Sequence, residues 1–292
     1  MISLPLVNNI STTTELPDAL DCLDTIVRCA NQRRIVVLLD FDGTITPIVS
    51  HPHDAVLTGS MRTTLKKLAD VCPLAIISGR DALDVCQRVA LSGIYCVGNH
   101  GFEIIAGGGE RIIYQGGLEF LPQLDLAEYD LRAGLSDVMG CEVERKHFAV
   151  AVHYRNLSTQ HTSEVRIRVD NIKAAYPRLR LTRGKKILEL RPDTPWNKGS
   201  ALNWLMQVMK LDPQRVFAVY VGDDDTDEDA FKVLKNRGVG IVVAACRKHT
   251  AARYRLSDVT DVQTFLTQLR QRLREQNPPA VGATAKEKTK DY

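Results

Sequence analysis

The chain is 292 residues long, 44% hydrophobic and 25% charged, the proportions of a globular protein of roughly two domains of about 150 residues with a sizeable core. A formal net charge of +3 is close to neutral and excludes the strongly basic footprint that nucleic acid or an anionic membrane would call for, so neither is expected as a partner. Seven cysteines without a CxxC pair, a start without a basic and apolar leader, and no run near the roughly 18 apolar residues of a membrane helix read as a soluble, cytoplasmic chain with reduced thiols.

In chain order, Arg34 to Leu39 is short, rich in β-branched residues and apolar on both faces, as a central strand of a parallel sheet should be. A helix near Thr58 to Asp70, a strand Leu74 to Ile77, a helix near Asp81 to Ala90 and a strand Ile94 to Val97 follow. Between Gly101 and Arg191 the pattern turns strand-rich and alternating, with strands at Glu103 to Ile105, Arg111 to Tyr114, Glu142 to His147, Phe148 to Tyr154 and Ile187 to Leu190. Helical patterns near Leu126 to Met139 and Thr162 to Tyr176 lie among them. The first rhythm then resumes with a helix from Asn197 to Lys210, a strand Val216 to Val221, a helix Asp227 to Lys235, a strand Val239 to Val243 and a last helix from Asp261 to Glu275. The fold class is therefore α/β, a Rossmann-like parallel-sheet core over 31–104 and 191–275 with an inserted, smaller α+β domain over 105–190. Residues 1–30 read as an N-terminal extension, and 276–292, with two prolines and an Ala-Lys-Glu-Lys-Thr-Lys stretch, as a disordered tail.

Two acidic clusters directly follow the strands that look most central: Asp40-Phe41-Asp42-Gly43-Thr44, and Gly222 through Glu228. Ligands of such sheets bind beyond the carboxyl ends of the strands. There Asp40, Asp42 and Asp223 would converge, with Asp224 and Asp227 beside them, and that much negative charge calls for a hard cation such as Mg²⁺. Taken alone, Asp42-Gly43 is an ordinary turn, and the run from Asp223 to Asp229 suits a helix N-terminus. An EF-hand does not fit, since its loop needs Gly and Glu where Glu228 and Leu234 stand. Ser78-Gly79-Arg80 follows a strand and opens a helix, so it can cap that helix, offer backbone N–H groups to an anion, or both. Lys198 sits in the first turn of a helix, against the dipole, which suggests a phosphate partner. Gly107-Gly108-Gly109 lacks GxGxxG spacing and reads as a loop.

The ordered set DFDGT, Ser78 in Ile-Ser-Gly-Arg, Lys198 and GDDDTDE resembles the four motifs of the haloacid dehalogenase superfamily. Within it, Gly98-Asn99-His100-Gly101, Glu144-Arg145-Lys146 with His153-Tyr154-Arg155, Leu188-Glu189-Leu190-Arg191-Pro192 and Gly222 to Phe231 are similar to phrases of the trehalose-6-phosphate phosphatases. The resemblance runs from about Ile35 to the last helix. It implies a haloacid dehalogenase-like core with a cap, and Mg²⁺-dependent hydrolysis of trehalose 6-phosphate through an aspartyl-phosphate, a step of trehalose biosynthesis. In that reading Asp40 is the nucleophile, and Asp42 protonates the leaving oxygen and then activates water. Mg²⁺ is held by the Asp40 carboxylate, the Asp42 carbonyl and Asp223, with Asp224 and Asp227 as further ligands or orienting groups. Thr44, Ser78, Gly79, Arg80 and Lys198 face the phosphate. Asn99, His100, Glu144, Lys146, Arg155 and Glu189 face the sugar. His153 is a weaker candidate, and His147 reads as a surface residue. The expected partner is a small sugar phosphate and the expected state a monomer. A sucrose- or hexose-phosphate phosphatase and a non-catalytic phosphate-sensing module are the competing readings.

Overall fold

A strand with apolar residues on both faces must be covered on both, and Arg34–Asp40 is. The computed structural model describes residues 11–276 except 50, 185, 236, 245 and 247. Its elements begin with β1 (Ser11–Thr12), α1 (Leu23–Cys29), β2 (Arg34–Asp40), α2 (Gly59–Ala69), β3 (Leu74–Ile77), α3 (Ala82–Val89), β4 (Tyr95–Gly98), β5 (Glu103–Ile105) and β6 (Arg111–Ile113). Next come α4 (Leu121–Gly134), β7 (Glu142–Lys146), β8 (Ala149–His153), α5 (Thr159–Ala174), β9 (Leu179–Gly184) and β10 (Ile187–Pro192). The chain continues with α6 (Lys198–Val208), β11 (Val216–Gly222), α7 (Asp227–Val233), β12 (Gly238–Val243), β13 (His249–Thr250), β14 (Tyr254–Leu256) and α8 (Val259–Gln276).

Eight strands form one sheet in the order β14-β12-β11-β2-β3-β4-β5-β6, parallel from β14 to β4. Ile35, Val37 and Leu39 of β2 share a core with Leu65 and Leu68 of α2 and Phe265 and Leu266 of α8. Val36 and Leu38 face the other way, sharing a core with Leu202 and Leu205 of α6 and Phe231 of α7. At about 1.5–3 kcal/mol for each fully buried side chain of this kind, the two layers hold β2 and β11 rigidly side by side. Leu39 pairs with Val221. The turns that follow these two strands therefore emerge next to each other.

The inserted part is a four-stranded antiparallel sheet in the order β7-β8-β10-β9, with α4 and α5 on one face. Val150, Val152, Leu188 and Leu190 point into that layer. Because successive strand residues alternate faces, Glu144, Lys146 and Glu189 point the other way, toward the core sheet.

Several expectations change. The core sheet continues through β5 and β6, antiparallel to β4, so it extends past the boundary expected after residue 104; short alternating edge strands carry no mark of the sheet they will join. Residues of the expected N-terminal extension belong to the core: Leu16, Ala19, Leu23, Ile26, Val27 and Ala30 are buried, and β1 pairs with β13. Strand β9 has no counterpart in the sequence reading, because its charged residues dilute the pattern, and α4 begins at Leu121, ahead of the expected Leu126. Gln276 ends α8, and the expected disordered tail beyond it lies outside the described residues. Among the described residues no helix is long and apolar enough to cross a membrane.

Candidate active site

Beyond Asp40 the chain turns back sharply, with Gly43 N donating to Thr46 O at 2.7 Å and Thr46 Oγ1 to Phe41 O at 3.0 Å. Gly43 has φ +83°, and a Cβ there would fall 2.2 Å from Asp223 Oδ2. Glycine is thus needed twice over, for the left-handed backbone and for the close approach of Asp223. On the neighbouring strand Gly222 meets only the second need, since a Cβ there would lie 2.3 Å from Asp227 Cγ. These two turns bring one carboxylate oxygen from each of Asp40, Asp223 and Asp227 within 4.8 Å of one another.

Lys198 is the cation in their midst. Asn197 caps α6 by accepting from Ser200 N at 2.9 Å, which places Lys198 at the first position of the helix. Its Nζ, almost fully buried, donates to Asp40 Oδ1 at 2.8 Å and Asp227 Oδ1 at 2.7 Å. Asp227 also accepts from Tyr220 Oη at 2.6 Å and from Asp224 N at 3.0 Å. Asp224 Oδ1 accepts from Thr226 N, Thr226 Oγ1 and Asp227 N at 2.9, 2.7 and 3.1 Å, so this carboxylate closes the turn into α7 while staying 3.6 Å from Lys198. Asp227, Glu228 and Asp229 lie in the first turn of α7, where their charge suits the helix N-terminus.

One lysine does not balance these carboxylates. Burial pushes Asp40 well above the usual carboxyl range; Lys198 opposes the shift and the neighbouring aspartates add to it. Burial together with Asp227 and Asp224 pushes Asp223 up to about 7. Its Oδ1 is buried with no hydrogen-bond partner among the described residues. A buried acceptor without a donor, in a group of oxygen ligands carrying surplus negative charge, fits a hard divalent cation.

The phosphate-facing candidates divide. Thr44 is fully buried, and its Oγ1 has no partner among the described residues. Ser78 is buried beside Asp40's strand and accepts from Arg80 N at 3.2 Å. Gly79 leaves room for the His100 ring, which a Cβ would meet at 2.7 Å. Arg80 departs from the expected phosphate contact: it forms a two-pronged pair with Asp42, Nε to Oδ2 at 2.6 Å and Nη2 to Oδ1 at 2.7 Å, and also reaches Asp84. Asp42's carboxylate thus points to Arg80 and away from the Asp40–Asp223–Asp227 group.

Core and cap together enclose a cavity of about 910 Å³ lined by Asp40, Asp42, Ser78, Lys198 and Asp223 from below and Glu144, Lys146, Arg155 and Glu189 from above. Lys146 Nζ donates to Glu189 Oε1 at 2.7 Å and to Gly79 O at 3.3 Å, and His100 Nε2 lies 2.8 Å from Glu189 Oε2. Burial would raise Glu189, but Lys146 and His100 outweigh it and hold the carboxyl well below its usual range. His153 Nε2 lies 2.7 Å from Glu144 Oε2, and Arg155 donates to Val49 O. Asn99 is a correction. Buried, it donates to Glu103 Oε2 at 3.1 Å and accepts from Phe148 N at 3.4 Å, so it joins core to cap and does not line the cavity. His147, read as a surface residue, keeps a part-exposed ring outside the cavity lining, while its backbone N donates to Asp81 Oδ1 across the same junction. The cavity wall also includes Arg183 and Arg191, which the sequence reading passed over; Arg191 stands two residues after Glu189, and that spacing on a strand was signal enough.

Comparison with known proteins agrees with this geometry. The trehalose-phosphatase family pattern matches residues 38–260. Trehalose-phosphate phosphatase B of Arabidopsis thaliana is 38% identical over 264 residues, covering 87% of this chain and 71% of that protein. A crystal structure of a trehalose-6-phosphate phosphatase related protein superposes with a TM-score of 0.72 at 25% identity, covering 82% of this chain and 99% of that one. A haloacid dehalogenase-like hydrolase from Bacteroides thetaiotaomicron shares the fold, with a TM-score of 0.57 at 15% identity over 82% of this chain and 99% of its own. With its acidic strand ends, buried lysine and capping sheet, the chain belongs to the trehalose-phosphatase family and is a phosphatase.

Proposed function

We propose that this phosphatase hydrolyses trehalose 6-phosphate with Mg²⁺ through an aspartyl-phosphate on Asp40. The observation that carries the reading is that one cavity joins the Asp40–Lys198–Asp223 group to a charged, sugar-sized face formed by Glu144, Lys146 and Glu189. Asp40 and Asp223 would hold the metal with the Asp42 carbonyl, while Asp227 and Asp224 fix Lys198 and the turn around them. Bound there, the cation would neutralise charge on the phosphoryl oxygens.

Asp40 attacks phosphorus, and the bond to the sugar oxygen breaks as its electron pair leaves with that oxygen. Asp42, on the open side of the cavity, gives the leaving oxygen a proton and later takes one from the water that attacks the aspartyl-phosphate, releasing phosphate and restoring Asp40. To do so its carboxylate must part from Arg80. Lys198 holds Asp40 in line and shares the charge of the transferring group, and the Thr44 and Ser78 hydroxyls supply donors to its oxygens. Above them, charged and hydrogen-bonding groups that a wrong ligand would leave unpaired select the sugar.

A panel of phosphorylated sugars assayed for phosphate release with Mg²⁺, and again with chelator, tests this. Trehalose 6-phosphate should be turned over with the highest kcat/KM, and chelation should abolish it. Preferred turnover of sucrose or hexose phosphates would overturn the substrate. No turnover of any ester with metal present would overturn catalysis and favour a phosphate-sensing module.

A further inference from the structure

Adjoining the catalytic cavity is a second one of about 340 Å³, sharing His100, Arg191, Lys198 and Thr226 with it and otherwise lined by Arg180, Pro195, Asn197 and Asp229. Arg180 lines only this smaller cavity. Arg180 of β9 and Arg191 of β10 are register partners, so two guanidinium groups stand directly opposite each other on one face of the cap sheet. Like charges so placed are destabilising. Burial and the proximity of Arg180 both lower the affinity of Arg191 for its proton.

The nearby carboxylates of Glu189, Asp224 and Asp229 offset this only in part. Glu189 is already held by Lys146 and His100, and Lys198, in the same lining, is a further cation. Asp229 is itself 3.5 Å from Lys232. Arg180 gives Nη2 to Trp196 O at 2.8 Å, but its Nε and that of Arg191 are buried without an acceptor among the described residues. Buried donors of this kind are costly to leave unmade. A forked, permanently charged donor pair is the arrangement proteins use for tetrahedral oxyanions.

We propose that the smaller cavity is a second oxyanion site, in which Arg180 and Arg191 take inorganic phosphate apart from the phosphoryl position above Asp40. The anion would satisfy both Nε groups and remove the repulsion between the arginines. The binding site stands on the arginine pair alone; that the reaction supplies the phosphate, through the wall the two cavities share, rests on the phosphatase reading.

Equilibrium binding of labelled inorganic phosphate to the full-length protein with Mg²⁺ tests the site. Wild type should take up two phosphates per chain. Arg180→Gln should keep the fold by circular dichroism and lose one of the two, with the affinity of the other unchanged. If Arg180→Gln does not fold, Arg180→Lys carries the test, and its second phosphate should bind at least about tenfold more weakly, because lysine offers a point charge without the fork. A wild-type stoichiometry of one that Arg180→Gln leaves unaltered overturns the proposal, as does a second phosphate bound equally well by wild type and either variant.

Discussion

Lys146 and Glu189 are each nearly buried and hold each other at 2.7 Å, so removing either does two things at once. On the proposed reading it deletes a contact to the sugar, and it also strips the buried partner of its nearest opposite charge, leaving Glu189 with His100 and Lys146 with the Gly79 carbonyl; breaking a buried pair costs about 3–5 kcal/mol of stability. Glu189→Ala and Lys146→Ala should each lower kcat/KM on trehalose 6-phosphate about ten- to a hundred-fold, from loss of charge-assisted bonds of about 1.5–3 kcal/mol. A small aryl phosphate lacks the hydroxyls these groups hold, so its turnover should barely move in the same variants. The double variant Lys146→Met with Glu189→Met separates the two effects, because it removes the charges as a pair. It should recover most of the lost thermal stability and none of the selectivity. Equal losses on both esters would assign the pair to the phosphate site or the fold.

At the scale of elements, the strand-to-turn junctions carry the chemistry, and they were the most legible part of the chain. β2 and β11 announce themselves because a strand buried on both faces needs an unbroken apolar run, and the acidic clusters directly after them could be placed together before any coordinates. What could not be read was pairing over long distances. Arg80 looked like an anion-binding helix start, and only the fold brings Asp42 against its guanidinium. Asn99 sits in a phrase shared with the family, yet its partners Glu103 and Phe148 are set by how β5 and the cap meet. Strand β9, with Arg180 and Arg183 among its residues, was invisible to a search for apolar alternation. The Asp40–Thr44 turn itself offers a sharp test. Gly43→Ala puts a methyl where Asp223 now stands, and also costs roughly 1–2 kcal/mol for a left-handed residue with a Cβ. The protein should still fold, while Mg²⁺ activation shifts to higher concentration and kcat falls at least about tenfold, in line with a displaced ligand rather than a lost one. Unchanged metal activation in a folded Gly43→Ala protein would remove Asp223 from the metal.

For the whole molecule, the question is how a cavity closed by a capping sheet admits its substrate. Core and cap are tied here by contacts that cross the cleft: Lys146 to Gly79 O, Arg155 to Val49 O, His147 N to Asp81 and Phe148 N to Asn99. His100 to Glu189 adds a further polar contact and the Phe102–Phe148 stack an apolar one; polar bonds of this kind exchange readily with water, whereas each sheet is held by its own apolar core. The chain crosses between the two parts after β6 and again between β10 and α6. Tyr114 on the first crossing stacks on Trp196 on the second, with ring centres 3.7 Å apart, and Trp204 of α6 lies edge-on 5.9 Å from Trp196. The chain has only these two tryptophans, so its tryptophan emission comes entirely from the place where a rotation of the cap would pivot. A non-hydrolysable analogue of the substrate together with Mg²⁺ should shift the tryptophan emission and, with the same concentration dependence, slow proteolysis within residues 114–120 and 193–197, as expected for lid closure that excludes water from the reaction. Tyr114→Leu should dampen the spectral response without abolishing protection, since the stack reports the movement but the polar contacts across the cleft hold the closed form. Emission and cleavage both indifferent to the ligand would mean that the cap is fixed, and that the substrate enters through the open side of the cavity beside Asp42.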